Sequence, residues 1–164
     1  MDRPQHYRFH QGDKVLPFSS AEYDARLAKL RTIMAAEGVD ACVFTSMHNI
    51  AYYSGFLYCS FGRPYALVVT PTDSVTMSAG IDAAQPWRRS HGDNITYTDW
   101  QRNNYWRAIV SVTGKGKVIG YEGDHLNLAQ NALLLEFLQP ALTKDIAPAT
   151  MLQRMHKSDA EIAL

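Results

Sequence analysis

Tyr65–Ala79, YALVVTPTDSVTMSA, decides how the rest of the chain is read. The aromatic and β-branched residues of its first six positions favour extended backbone, and its last six, SVTMSA, are the expected hairpin partner. Pro71 and Asp73 stand between them and supply turn chemistry. The stretch therefore predicts an antiparallel pair, YALVVT followed by SVTMSA, inside a chain whose other segments alternate between helical and extended patterns.

Working outward toward the amino terminus, DACVFTS (40–46) predicts a short strand. Ala41, Val43 and Thr45 lie on one side and Cys42 and Phe44 on the other, and apolar residues on both sides imply an inner strand covered on both faces. Before it, SSAEYDARLAKLRTIMAAEGVD predicts a helix capped by Ser19 or Ser20, with an apolar stripe of Tyr23, Leu27, Leu30, Ile33 and Met34 and a stop at Gly38. MHNIAYYSGF predicts a short helix ended near Gly55, and LYCSFGR an irregular link into the hairpin.

Toward the carboxyl terminus, IDAAQPWRRSHGDN reads as partly helical, limited by Pro86. NITYTDW predicts a strand, NNYWRAIVSVT a helix, KVIGYE a strand after the turn at Gly114 and Gly116, and LNLAQNALLLEFLQPAL an amphipathic helix ended near Pro140. PATMLQRMHKSDAEIAL starts another helical pattern that is still running at the last residue, as expected of a cut inside a larger protein; a short natural carboxyl-terminal helix is the alternative. The expected fold is a layered α/β domain with a mixed sheet flanked by helices.

Composition sets limits on function. The 164 residues suit one domain, and 46% hydrophobic content with only seven prolines and ten glycines excludes disordered and fibrous classes. Sixteen basic residues balance sixteen acidic ones, so no nucleic-acid partner is expected. The apolar runs fall short of the roughly 20 residues that span a bilayer, and MDRPQHYRFHQGDK lacks a secretory core. A cytoplasmic protein with no membrane partner is expected, and Cys42 and Cys59 read as reduced, largely buried thiols.

The most informative patch for chemistry is Tyr58–Tyr65, YCSFGRPY. Gly62 permits a close turn, Pro64 pushes Arg63 toward extended geometry, and Arg63 could present a bidentate fork to a small carboxylate with Phe61 covering the same ligand. A surface arginine beside a core phenylalanine is the simpler alternative at this point. The six histidines are scattered without metal-site spacing, and no metal or other cofactor is expected. His48, with Asn49 and Tyr52 near it, could form a polar pocket, although structural hydrogen bonding is simpler. Asp40, Asp82, Asp93, Asp99, Glu122 and Asp124 read mostly as turn, cap or solvated carboxylates. Neither a dinucleotide fingerprint nor a phosphate loop occurs, since GKGKVIGYEG lacks the register. Trp87 with Arg88 and Arg89 reads as a packed aromatic beside a solvated pair, and Trp100, Tyr105 and Trp106 as core.

TSMHNIAYYSGFLYCSFGRPYALVVT (45–70), together with GIDAAQPWRR, TDWQRNNYW and IGYEGDHLNL, resembles the amino-terminal domain of creatinase-like enzymes. The likeness covers nearly the whole chain, and MHKSDAEIAL resembles the junction to their larger carboxyl-terminal domain. The resemblance implies an amino-terminal domain over 1–150, a truncated junction over 151–164, and a homodimeric parent of the pita-bread family that hydrolyses creatine to sarcosine and urea. It also implies that the catalytic residues lie in the carboxyl-terminal domain and that no catalytic metal is required. Through the SFGRP motif it implies that Phe61 and Arg63 reach the neighbouring subunit's active site, Arg63 holding the substrate carboxylate and Phe61 packing against its body. A related metal-dependent proline-directed peptidase, another enzyme of small zwitterions and an autonomous non-catalytic binding module are the alternatives.

Overall fold

The computed structural model describes residues 3–58, 62–82 and 84–163. Among them seven strands form one mixed sheet: β1 (His6–Arg8), β2 (Ala41–Phe44), β3 (Ala66–Val69), β4 (Ser74–Ala79), β5 (Asp93–Tyr97), β6 (Val118–Tyr121) and β7 (Leu142–Asp145). Their spatial order is β1-β5-β4-β3-β2-β6-β7. The anticipated hairpin is present, with Val68 opposite Val75 and Ala66 opposite Met77. β3 is antiparallel to both its neighbours, whereas β4 and β5, β2 and β6, and β6 and β7 pair in parallel. Consequently β2, β4, β5, β6 and β7 run one way and β3 runs back between them.

That reversal matters for the site. The start of β3 lies at the sheet edge where β2, β4, β5 and β6 end. In open α/β sheets the crevice outside the carboxyl ends of the strands is the usual place for a ligand.

The expected two-sided burial of β2 is realised. Ala41 and Val43 face a core shared with Ala66, Val68, Val75 and Met77, covered by α4 (Asn104–Thr113) and α5 (Leu128–Leu138) through Trp106, Ile109, Leu134 and Leu138. Cys42 and Phe44 face the opposite core, with Leu67 and Val69, beneath α1 (Ser20–Glu37) and α2 (Met47–Ser54). A strand buried on both faces must be apolar at every position, which is why ACVF and ALVV read as unbroken runs.

Helix limits follow local chemistry. Ser19 caps α1 and accepts from the Glu22 N–H, and Gly38 ends it in the left-handed region at φ 63°, where a side chain would be strained. The α1 stripe differs at one place: Arg26 is buried, whereas Ile33 is only half-buried. Arg26 can be buried because its guanidinium lies 4.5 Å from the Phe18 ring and 4.4 Å from the Tyr52 ring and donates to Glu22 and the Tyr52 carbonyl at 2.9 and 2.8 Å.

The polar segment after β4 contains α3 (Gln85–Arg89), with Pro86 in its first turn. The final helical pattern divides into α6 (Ala147–Met155) and α7 (Asp159–Ile162), because Ser158 and Glu161 form a capping box that starts a new helix. Ser158 also donates to Glu22 at 2.8 Å, and Gln153 accepts from Tyr53 and donates to the Arg26 carbonyl, both at 2.9 Å, so this region is tied to α1 and α2. β1 and β7 had no sequence signal: each is a short edge strand carrying Arg8 or Lys144, without apolar alternation. Among the described residues no helix is long and apolar enough to cross a membrane.

Two expected outcomes test this packing. A Cβ at Gly92 would stand 2.0 Å from the Ser74 carbonyl oxygen, a backbone atom that cannot swing away. Gly92→Ala is therefore expected to cost about 2 kcal/mol or more and to lower Tm by about 4–8 °C in a thermal melt. Burial pushes the Cys42 thiol from 9.0 up to about 12. Because the folded value is raised, this group's contribution to stability is intact below pH 9 and is lost as pH climbs toward 12. Mass mapping after iodoacetamide treatment at about pH 8 should find Cys42 unlabelled in the folded protein and labelled once it is unfolded in urea.

Candidate functional site

Pro64 introduces β3 and offers no N–H, but its carbonyl and that of Tyr65 still need donors where the chain enters the sheet. Two tyrosines from elsewhere supply them. Tyr97, the last residue of β5, donates its hydroxyl to the Pro64 carbonyl at 2.9 Å, and Tyr105 of α4 donates to the Tyr65 carbonyl at 3.1 Å. Burial raises both tyrosine pKa values, so both hydroxyls keep the proton they donate. The Tyr65 hydroxyl in turn donates to Asp82 at 2.9 Å, and its ring stacks on Tyr58 with centroids 4.3 Å apart.

Arg63 thus leaves a backbone that is held on its carboxyl side. Its side chain is about half exposed, and Nη1 donates to Asp99 Oδ1 at 2.8 Å. It lines three hollows at the carboxyl edge of the sheet: one of about 440 Å³ with Tyr58, Tyr65, Asp82 and Arg89, one of about 230 Å³ with Thr45, His125 and Asn127, and one of about 260 Å³ with Tyr97, Asp99 and Asn104. A guanidinium at the mouth of partly aromatic hollows suits a small ligand carrying one carboxylate. Phe61 and Cys59 lie outside the described residues.

The neighbouring fixed point is Glu122, directly after β6. It is buried and accepts from the backbone N–H of Thr45 and Ser46 at 2.5 and 2.8 Å, from the Asn49 amide at 2.6 Å, and from the Ser46 hydroxyl. These donors come from the N-cap Ser46, from Thr45 before it and from the Asn49 side chain in the first turn of α2, at the end of the helix whose dipole favours an anion. Thr45 also meets His125 Nδ1 at 2.9 Å through its hydroxyl. Glu122 is thus neither a turn nor a solvated carboxylate: from the residue after β6 it holds the entry to α2, 76 positions from Ser46.

The remaining candidates disperse. His48 is exposed on α2 and lines a groove with Tyr52, while Asn49 points inward to Glu122, so the three do not make one pocket. Asp40 accepts from the Val118 N–H at 2.8 Å, and Asp93 pairs with Arg8 and with His10. Trp87 stacks on His10 at 3.9 Å beside the exposed Arg88 and Arg89. Tyr105 and Trp106 are core residues, but Trp100 is 47% exposed and donates to the Pro4 carbonyl at 2.7 Å, which corrects its assignment to the core. Among the described residues no group of three or more His, Cys, Asp or Glu could hold a metal ion. Sequence reasoning missed Asp99 and Tyr97 as partners of the Arg63 region, and no local signal marks them, because only the strand register brings them there.

Comparison with known proteins identifies the family and the fold. The Creatinase/Prolidase N-terminal domain family matches residues 26–156. A creatinase from Bacillus sp. (strain B-0618) is 48% identical over 158 residues, covering 93% of this chain, and the chain spans 38% of that protein's length. Among solved structures, the dipeptidase PepE from Mycobacterium ulcerans superimposes with a TM-score of 0.74 at 20% identity, over 89% of this chain and 40% of that one. A proline dipeptidase from Streptococcus pneumoniae TIGR4 gives 0.72 at 19% identity, over 80% of this chain and 98% of the other. At such identities the two structures speak for the fold alone.

Replacement of Glu122 tests its place in this arrangement. Glu122→Ala leaves two backbone N–H groups and the Asn49 amide without their acceptor, at about 1–3 kcal/mol each. Urea unfolding should show a loss of about 3 kcal/mol or more, with the midpoint lowered and the slope unchanged.

Proposed function

From the membership of this chain in the Creatinase/Prolidase N-terminal domain family, we propose that it is the substrate-contributing and dimer-forming domain of an enzyme that hydrolyses creatine to sarcosine and urea. The observation that carries this reading is the 48% identity to a creatinase over 93% of the chain. In this reading residues 1–150 are the domain and 151–164 the junction to a carboxyl-terminal catalytic domain of the pita-bread type, and the chain alone is inactive. The 38% share of that relative's length accords with a second, larger part. The parent is a cytoplasmic homodimer.

The reaction adds water across one carbon–nitrogen bond. Water attacks the amidino carbon and gives up a proton to a histidine of the catalytic domain. The tetrahedral intermediate then collapses as the sarcosine nitrogen leaves with a proton, and urea remains. Arg63 takes no part in the proton transfers. It holds the creatine carboxylate, two parallel N–H donors facing two oxygens, so that the amidino carbon lies within reach of the attacking water. Phe61 packs against the body of the substrate. The half-exposed position of Arg63 at the carboxyl edge of the sheet accords with a side chain offered to another subunit's site.

Incubating creatine with the full-length protein should yield sarcosine and urea in equal amounts, and with residues 1–164 alone neither. In the full-length protein Arg63→Ala should lower kcat/KM for creatine about 10- to 100-fold, the worth of a charged hydrogen-bonding pair. Its Tm should scarcely move, because the partnership with Asp99 is half-exposed. Unchanged creatine kinetics in that variant would remove Arg63 from substrate binding. Cleavage of an Xaa-Pro dipeptide with added divalent metal, and no sarcosine from creatine, would assign the parent to the peptidases instead.

A further inference from the structure

We infer that Asp99 is a positioning residue for Arg63, orienting the guanidinium so that one edge is ready for the substrate carboxylate; the inference rests on the reading of Arg63 given above. Asp99 Oδ1 accepts from Arg63 Nη1 at 2.8 Å across 36 positions of sequence. The two residues have a common mounting. Tyr97, two positions before Asp99, donates to the carbonyl of Pro64, the residue after Arg63, so the end of β5 grips both the backbone and the side chain of this region.

The turn carrying Asp99 is itself fixed from three sides. The Thr98 N–H donates to the Gln5 carbonyl at 2.9 Å, the Thr98 hydroxyl to the Pro4 carbonyl at 2.8 Å, and the buried Asn104 amide to the Thr98 carbonyl at 3.0 Å. Trp100 on the other side of Asp99 donates to the Pro4 carbonyl. A carboxylate on such a mount restricts the long, rotamer-rich arginine side chain before any ligand arrives.

The contact is single. Asp99 engages Nη1, whereas a guanidinium carries five N–H donors in a planar fork. Arginine–carboxylate pairs are frequently bidentate, and this one is not. A one-point contact leaves the Nε–Nη2 edge to face a second carboxylate, and with the two side chains 46% and 42% exposed the pair adds little to folding. Orientation is what remains for it to supply.

Asp99 could instead oppose the substrate, since its negative charge lies near where another carboxylate would bind. The two effects have opposite signs and are separable in the full-length protein. If Asp99 positions Arg63, Asp99→Ala raises KM for creatine about tenfold with kcat changed by less than about twofold, the pattern of lost ground-state and transition-state binding together. Asp99→Asn keeps a carbonyl acceptor of the same shape and should restore KM to within about threefold of the parent value. Adding Asp99→Ala to Arg63→Ala should change nothing further, because the positioned group is gone.

A KM unchanged or lowered in Asp99→Ala would overturn the inference while leaving Arg63 in its role, and so would a lowered KM in Asp99→Asn. Independent, additive losses in the double variant would overturn it as well. A parental KM in Arg63→Ala would overturn the underlying reading and this inference with it.

Discussion

The buried carboxylate of Glu122 holds together the part of the molecule on which everything else is mounted. Strands β2 and β6 are parallel neighbours, yet nothing in their ladder determines how the chain leaves β2 and turns into α2. Glu122 does so by collecting the N–H groups of Thr45 and Ser46, the Ser46 hydroxyl and the Asn49 amide at the end of β6. A negative charge out of water is tolerable only when so many donors converge on it, and the start of a helix is where such donors are free. Without it the α2 cap would be left with unpaired groups beneath the sheet edge.

The same edge acquires its chemical character from the reversed strand. Because β3 runs against β2 and β4, the loop entering β3 meets the carboxyl ends of the parallel strands. Arg63 therefore comes beside Asp99 after β5, Asp82 after β4 and Thr45 after β2, although these residues are far apart in the chain. The two tyrosine hydroxyls satisfy the carbonyls of Pro64 and Tyr65 where the chain enters β3, and burial keeps them protonated. The result is a cation held on a rigid rim, with aromatic surface on one side and polar groups on the other.

Much of this was legible from residue order. The hairpin at 65–79, the two-faced strand at 41–44, the caps of α1 and the stops at Gly38 and Gly55 all follow from patterns a few residues long, and each is present. The SFGRP motif and its flanks carried the family resemblance that the comparison bears out. Less legible were the places where local preference and packing disagree. Arg26 is buried where the stripe predicted Ile33, because aromatic rings and Glu22 surround its charge. The last helical pattern divides at Ser158, because a capping box outweighs continuity. Edge strands β1 and β7 have too few buried side chains to leave a periodic trace.

What the sequence by itself determined was the inner strands and the main helices, the apolar faces that bury them and the family to which they belong, since helix and strand periodicity and capping act over one or two turns of chain. Tertiary structure alone decided which polar groups meet. Glu122 reaches Ser46 across 76 residues and Asp99 reaches Arg63 across 36, distances over which no spacing rule operates. The physical reason is that such meetings depend on strand order and register, which are settled by burial of both sheet faces together.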